Sequence, residues 1–182
     1  DLGEETRKRR EVVLQLPMVM HNPGRAFPLA DQLVRSAEQE AIARNTESDE
    51  REVEELRTAL GAGGTGKGTA SAGRGAAGAV KELERAQKSR RTRSTRDSLD
   101  LALVDLAGFY RDALMSSLGA RDVSPVHADK AAEAARLGGH YAPAAILKAI
   151  EAVQDCRAAI EVNVKPKFAV SAMVGAIRAA LG

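Results

Sequence analysis

The sequence is poor in several features, and each absence excludes a class of protein. It contains one cysteine, Cys156, which excludes an internal disulfide and suits a reducing cytoplasm. It has no run of about 18 apolar residues and no basic-then-apolar leader, so we expect neither a membrane span nor a signal peptide. Tryptophan is absent, and β-branched residues never alternate with polar ones over the length of a strand. This pattern predicts an all-α fold without a sheet.

The most informative stretch runs from Lys81 to Leu118 and is predicted to be one long helix with two unlike halves. In the second half, apolar side chains recur at steps of three and four residues and form one stripe: Leu99, Leu103, Leu106, Tyr110, Leu114 and Leu118. A stripe of this length needs partners on its apolar side. The first half is strongly basic, with Lys81, Arg85, Lys88, Arg90, Arg91, Arg93 and Arg96. We expect this half to project into water or to lie against an acidic surface.

A second long helix of opposite charge is predicted to begin near residues 27–28 and to run toward Leu60. Residues 31–55 include nine acidic and only three basic side chains. The middle of this segment offers no apolar anchor, which leaves two interpretations open. It is either the solvated centre of one helix or a break, after which residue 48 or 49 caps a new helix.

Residues 61–78 are rich in glycine and nearly free of large apolar side chains, which predicts a flexible connector. Such a connector allows the acidic and basic helices to return antiparallel, as a long hairpin. Within it, the stretch from Gly61 to Thr69 resembles a nucleotide-binding P-loop. However, Gly68 stands where a Ser or Thr must follow Lys67 to hold Mg²⁺, and no predicted strand precedes the stretch. The linker interpretation is therefore the stronger one.

No catalytic, cofactor-binding or metal-binding residues emerge from the sequence. The three histidines are far apart and lack the spacing of a metal site, so we expect them near the surface, and Cys156 is expected to be a buried structural thiol. The basic run of the long helix is a candidate contact with DNA or with a partner. Its residues are Lys88, Arg90, Arg91, Arg93 and Arg96. It lacks aromatic residues for base stacking, so a solvated or internally paired face is the other interpretation.

Shorter helices are predicted in the last third of the chain. Ser124 and Pro125 are the expected N-cap and first residue of an alanine-rich helix that ends at Gly138 and Gly139. The next helix begins at Pro143 and stops at residues 163–166. A final helix begins near Lys167.

Two stretches, residues 103–112 (LVDLAGFYRD) and residues 150–174, together resemble the C-terminal part of bacterial clamp-loader subunits. The resemblance is closest to the delta-prime family of DNA polymerase III, in its actinobacterial type. In this family a helix ends at Asn-Val-x-Pro and an apolar helix follows. The sequence matches this pattern at Asn163, Val164, Pro166, Phe168, Val170 and Met173. It departs from the pattern at Phe168, where the family usually has Leu, and at Ser171, where it commonly has Glu.

The resemblance implies a helical collar domain over residues 17–182, with residues 1–16 as the tail of a preceding helical lid domain in a longer protein. Such collars form a ring that holds together a pentameric loader, which places the sliding clamp on primed DNA. The expected partners are the tau/gamma and delta subunits; this fragment would have no enzymatic activity and no cofactor. The tau/gamma collar is the nearest alternative. Candidate subunit-interface residues are Leu103, Leu106, Tyr110, Phe168, Met173 and Ile177.

Overall fold

The computed structural model describes residues 1–61 and 69–182, with side chains for residues 1–61 and 75–182. These ranges contain six α-helices and no strand, which confirms the predicted all-α class. The helices are α1 (Leu2–Val19), α2 (Pro23–Ala59), α3 (Thr69–Ser117), α4 (Ala131–His140), α5 (Pro143–Glu161) and α6 (Pro166–Leu181). A single 3₁₀ turn, Ala128–Lys130, precedes α4.

Helix α2 begins earlier than predicted because Asn22 supplies its cap. The Asn22 side-chain oxygen accepts the Gly24 amide hydrogen at 3.0 Å, and Pro23 occupies the first turn, where its missing N–H costs nothing. The helix then continues without interruption to Ala59. Of the two interpretations that the sequence left open, the single long helix is therefore the correct one.

Helix α1 does not form a separate tail. It runs through Pro17 to Val19, so the proline lies in its last turn rather than ending it early. Its apolar residues belong to the same core as the other helices: Val12, Val13, Leu14 and Leu16 are all buried there. The structure thus shows no break at the boundary predicted between residues 16 and 17.

Helix α3 begins at Thr69, inside the segment predicted to be a flexible connector. Residues 69–78 are helical, which corrects the prediction for that part of the segment. Alanine is frequent there, and its high helix propensity offsets the interspersed glycines. Residues 62–68, which include most of the P-loop-like stretch, lie outside the described residues. The residue before them, Gly61, follows α2 rather than the strand that a P-loop requires.

The core is built around the C-terminal half of α3, which packs against α1, α2, α4 and α5, while α6 packs on α2 and α5. Leu103, Leu106, Phe109 and Tyr110 are completely buried. The stripe does not extend to Leu118 as predicted, since α3 ends at Ser117 and Leu118 is exposed. The predicted stripe also missed Phe109, although Phe109 packs edge-on against Tyr110 with ring centroids 5.8 Å apart.

The segment between α3 and α4 is irregular where the sequence predicted a helix start at Ser124 and Pro125. Asp112 of α3 explains the difference, because its carboxylate accepts the backbone amides of Val126 and His127 at 2.8 and 2.9 Å. Val126 also lies over Gly108, where an added Cβ would come within 2.9 Å of a Val126 methyl group. The segment is therefore held against α3, and α4 begins only at Ala131.

Candidate interaction surfaces

The distal part of the α2–α3 pair forms an arm that is held together by polar residues. We define the arm as residues 42–60 of α2 and its C-terminal turn together with residues 75–98 of α3. Its buried residues are Asn45, Asp49, Gln87 and Ser98. None of them is apolar, whereas the opposite end of the same two helices buries almost only apolar side chains.

Side-chain contacts show that the two helices of the arm are antiparallel. The Asn45 amide nitrogen donates to the Ser94 hydroxyl at 3.0 Å, and the Gln87 amide nitrogen donates to Glu52 at 3.3 Å. From the first contact to the second, the position moves forward along α2, from Asn45 to Glu52. It moves backward by the same number of residues along α3, from Ser94 to Gln87, as antiparallel helices require. Gln87 also donates to the backbone carbonyl of Asp49 at 2.8 Å. These contacts set the register of one helix against the other.

Two of the predicted DNA-contact residues, Arg90 and Arg91, are engaged inside this arm. Arg90 donates to Asp49 at 2.7 Å and to Glu52 at 2.6 Å, and Arg91 donates to Asp49 at 2.8 Å. The hydrogen bond from Arg90, followed by the one from Gln87, lowers the pKa of Glu52. The hydrogen bonds to Glu52 and Asp49 raise the pKa of Arg90 in turn. These two arginines therefore form the internally paired face that the sequence offered as one interpretation.

The other three basic candidates make no ion pair within 4.0 Å to any described residue. Lys88 and Arg93 are exposed, and Arg96 is half-buried. The Arg96 Nε atom is buried and has no hydrogen-bond partner among the described residues. Arg90 and Arg91 are therefore paired inside the arm, whereas the other three residues of the basic run have no ion-pair partner among the described residues.

An open groove of about 750 Å³ lies between α3 and α5, where the arm meets the core. Arg93, Arg96 and Asp97 line it at one end. Arg157 of α5 binds Asp100 of α3 in a two-pronged pair, with Nε–Oδ1 at 2.7 Å and Nη2–Oδ2 at 3.1 Å. The hydrogen bond to Asp100 raises the pKa of Arg157. The groove thus carries charges of both signs around an apolar floor that includes Leu101 and Ile160.

Five of the six predicted subunit-interface residues lie in the core of this chain. Leu103, Leu106, Tyr110, Met173 and Ile177 are each at most 2% exposed, so they are not available to a neighbouring subunit. The prediction was wrong for these five because they pack inside the chain. The stripe of α3 contacts α1, α2, α4 and α5, and α6, which carries Met173 and Ile177, packs on α2 and α5. The sixth residue, Phe168, is 62% exposed.

Phe168 belongs to a small apolar surface at the turn between α5 and α6. Asn163 adopts a left-handed conformation with φ 69°, and Val164 donates its amide hydrogen to the Ala159 carbonyl at 2.9 Å. This is the hydrogen-bond pattern of a Schellman cap, which fixes the path of the chain after a helix. Val162 is 73% exposed and Val164 is 39% exposed. We call Val162, Val164 and Phe168 the turn surface.

Two further exposed apolar residues, Leu101 and Val104, were not among the residues predicted from the sequence to form a surface. Leu101 lies two positions before Leu103 of the buried stripe and Val104 directly follows it, and the exposed fractions of Leu101 and Val104 are 48% and 45%. Leu101 lines the α3–α5 groove beside Glu161, the residue before Val162, so this groove adjoins the turn surface. Their apolar character at positions outside the core stripe was the available signal.

A buried ion pair joins α1, α2 and α3 near the base of the arm. Arg9 of α1 donates to Glu40 of α2 at 2.6 Å and to Asp105 of α3 at 3.3 Å, and the side chains of Arg9 and Glu40 are 5% and 1% exposed. Burial would raise the pKa of Glu40, but hydrogen bonds from Thr6 and Arg9 and the charge of Arg9 outweigh it. The pKa of Glu40 is therefore lowered.

His127 is buried beside this ion pair, which corrects the prediction that it lies near the surface. Its Nδ1 is 3.2 Å from Arg10, and its Nε2 is 2.7 Å from the Asp105 carbonyl oxygen. Arginine can only donate, so we assign the proton to Nε2. Arg10 also forms a two-pronged pair with Asp129, and this hydrogen bond lowers the pKa of Asp129 to about 2.

The described residues contain no arrangement that suggests catalysis. No three His, Cys, Asp or Glu side chains in the described ranges lie close enough together to hold a metal ion. Burial raises the pKa of the Cys156 thiol to about 12, so it is protonated and unreactive at neutral pH. None of the helices in the described part of the chain combines the length and the apolar character needed to cross a membrane.

Neither a protein family, nor a curated protein, nor a solved structure matches this chain. The resemblance to clamp-loader subunits therefore rests on the sequence motifs alone.

Proposed function

We propose that this chain is the collar domain of a delta-prime-like clamp-loader subunit and acts in the assembly of that complex. On this proposal it joins the tau/gamma and delta subunits through their own collars and has no catalytic role. The complete loader would place the sliding clamp on primed DNA. In this chain, the surface that meets a neighbour would be the turn surface together with the adjoining groove, and the buried stripe of α3 would serve only the internal core.

The turn surface is the observation that carries the proposal. It presents three large apolar side chains around one rigid turn, and two of them, Val164 and Phe168, belong to the motif on which the clamp-loader resemblance depends. Clustered apolar side chains that remain exposed on a rigid turn are typical of protein–protein contacts. The charged rim of the groove, with Arg93 and Glu161, would supply the polar periphery of such a contact.

A binding assay with purified tau/gamma and delta collar domains tests this proposal directly. The 182-residue chain and a double variant, Val162→Ser with Phe168→Ser, are compared by pull-down and by titration. We expect the double variant to bind at least about tenfold more weakly, as for the loss of a central apolar contact. Both substituted side chains are exposed, so helical content and the unfolding midpoint should not change.

A matched control is Leu118→Ser with Val123→Ser, which removes two exposed apolar side chains from the segment that follows α3. This control should bind the collars like the unsubstituted chain. If the chain binds no clamp-loader collar, the proposal is wrong. Equal loss in both double variants would place the contact elsewhere than at the turn surface.

A further inference from the structure

We propose that the face of α3 that points away from α2 in the arm binds the phosphate backbone of duplex DNA. The residues that carry this inference are Lys81, Arg85, Lys88 and Arg96, which we call the basic stripe. The binding would be a property of the chain itself, independent of any assembly with other subunits.

The helical register places the basic stripe on one side of α3. Gln87, Arg90 and Ser94 mark the side that contacts α2. At 3.6 residues per turn, the members of the basic stripe and Thr92 fall on the opposite side of the helix. They are spaced at steps of four, three, four and four residues, so the stripe extends over about 22 Å along the axis.

The charges of the basic stripe are largely free of internal partners. Lys81, Arg85 and Lys88 are exposed, and Arg96 is half-buried, with its Nε atom unpartnered among the described residues. Among the described residues, the stripe forms a single ion pair, which joins Arg85 to Glu82 at 3.6 Å, and both side chains are 79% exposed. Such an exposed pair is weak and gives way easily to a phosphate. Glu82 and Glu84 lie on either side of the stripe near its tip, where they would weaken binding rather than prevent it.

Arg90 and Arg91 do not take part in this surface. Both donate to Asp49, a side chain that is 4% exposed. If the two arginines turned away to bind DNA, the buried Asp49 carboxylate would lose its partners, which is energetically costly. Their role is to hold α3 against α2. The paired arginines therefore orient the helix so that Lys81, Arg85 and Lys88 face outward.

The chemistry of the stripe favours a nucleic-acid duplex over an acidic protein. A stable protein–protein contact needs an apolar centre, and the stripe contains none: its positions are four cations and the hydroxyl of Thr92. Backbone binding to DNA needs only cations and hydrogen-bond donors. The arm also has no aromatic side chain within residues 75–98 for stacking on bases, which favours a paired duplex over a single strand.

The test is fluorescence anisotropy of a labelled DNA duplex titrated with the 182-residue chain at a series of salt concentrations. Four phosphate contacts predict that affinity falls about a hundredfold when salt rises from about 50 to about 200 mM. A variant with Lys81, Arg85, Lys88 and Arg96 each changed to Gln should lose most of the binding and most of its salt dependence. A second variant, Lys81→Arg with Lys88→Arg, keeps the charge and should bind like the unsubstituted chain.

The matched control changes four exposed cations that lie outside the arm to Gln: Arg25, Arg35, Arg121 and Lys148. It alters the net charge equally, so equal loss of binding in both variants would show nonspecific attraction and overturn the proposal. A duplex that fails to bind at about 50 mM salt also overturns it. A parallel titration with polyglutamate tests whether the basic stripe binds an acidic protein instead of DNA. Stripe-dependent binding of polyglutamate without binding of DNA would assign the surface to an acidic partner.

Discussion

The two ends of the α2–α3 pair are joined by different kinds of contact. At the core end, Ala30, Leu33 and Ala37 of α2 lie in the same apolar cluster as Leu99 and Leu103 of α3. In the arm, the same two helices are held by Asn45, Asp49, Glu52 and the residues that pair with them. Apolar burial is strong but non-directional, whereas hydrogen bonds and ion pairs add less free energy and specify one register.

The two ends of the α2–α3 pair therefore have different roles: the core end stabilises the fold, and the arm fixes how the two helices are aligned. The core end supplies most of the free energy of folding, because it removes the large side chains from water. The arm adds little net stability, yet its polar contacts decide which side of α3 faces outward. We therefore expect the arm to open locally without unfolding the core.

The largest effect is expected from Leu106→Ala. Leu106 is completely buried, so its truncation should lower the free energy of unfolding by about 3 to 4 kcal/mol through lost burial and a residual cavity. The matched change in the arm, Leu83→Ala, removes a half-buried side chain and should cost about 1 kcal/mol. Urea denaturation followed by circular dichroism measures both. Equal losses would show that the arm is stabilised in the same way as the core.

Glu40→Gln should lower the free energy of unfolding by about 3 kcal/mol at neutral pH, because Arg9 loses its buried partner. The effect should depend on pH. The pKa of Glu40 is lowered from its ordinary value of 4.5, so its contribution is complete above that value and is lost as the pH falls through the lowered pKa. The difference between the two proteins should therefore shrink on acidification. Glu38→Gln, an exposed change on the same helix, is the control and should leave the free energy of unfolding nearly unchanged.

Asp49→Asn should loosen the arm and leave the core intact. The substitution weakens the hydrogen bonds from Arg90 and Arg91 to a buried side chain. We expect hydrogen-exchange protection of the neighbouring arm amides to fall about tenfold, the equivalent of one charged hydrogen bond. Protection around Leu103 and Phe109 should not change. The control Glu50→Gln, at an exposed neighbouring position, should alter neither region.

The smallest effect is expected from Arg51→Gln. Arg51 pairs with Glu47 at 2.8 Å, but the two side chains are 62% and 90% exposed, so water and salt screen the interaction. The unfolding midpoint should not change measurably. A clear decrease would mean that exposed pairs, rather than the buried polar contacts, hold the arm together.

Much of the fold was predictable because the periodicity of apolar residues reports helices directly. The predicted boundaries of α5 agree closely with the structure, since Pro143 begins the helix and Asn163 follows its end. The starts of α2 and α4 were harder to predict. Asn22 caps α2 through a contact only two residues away, while Asp112 acts on Val126 and His127 from another element of the chain.

The candidate surfaces were less predictable than the helices. An apolar stripe shows that a helix needs a partner, but not whether that partner is another helix of the same chain. For this reason Leu103 and Tyr110 were assigned to a subunit interface although they are completely buried in the core. Similarly, a run of arginines does not reveal which members are paired. Only the position of Asp49 across the arm separates Arg90 and Arg91 from Lys88.

The sequence by itself determined the helical class, the long acidic and basic segments and the lack of any recognisable catalytic motif, because these depend on composition and on spacing along one chain. The tertiary structure decided which apolar residues remain exposed at the turn surface and which basic residues face outward. Both outcomes depend on contacts between residues far apart in sequence. Such contacts follow from the packing of the other helices on α3 and on one another, which no local pattern encodes.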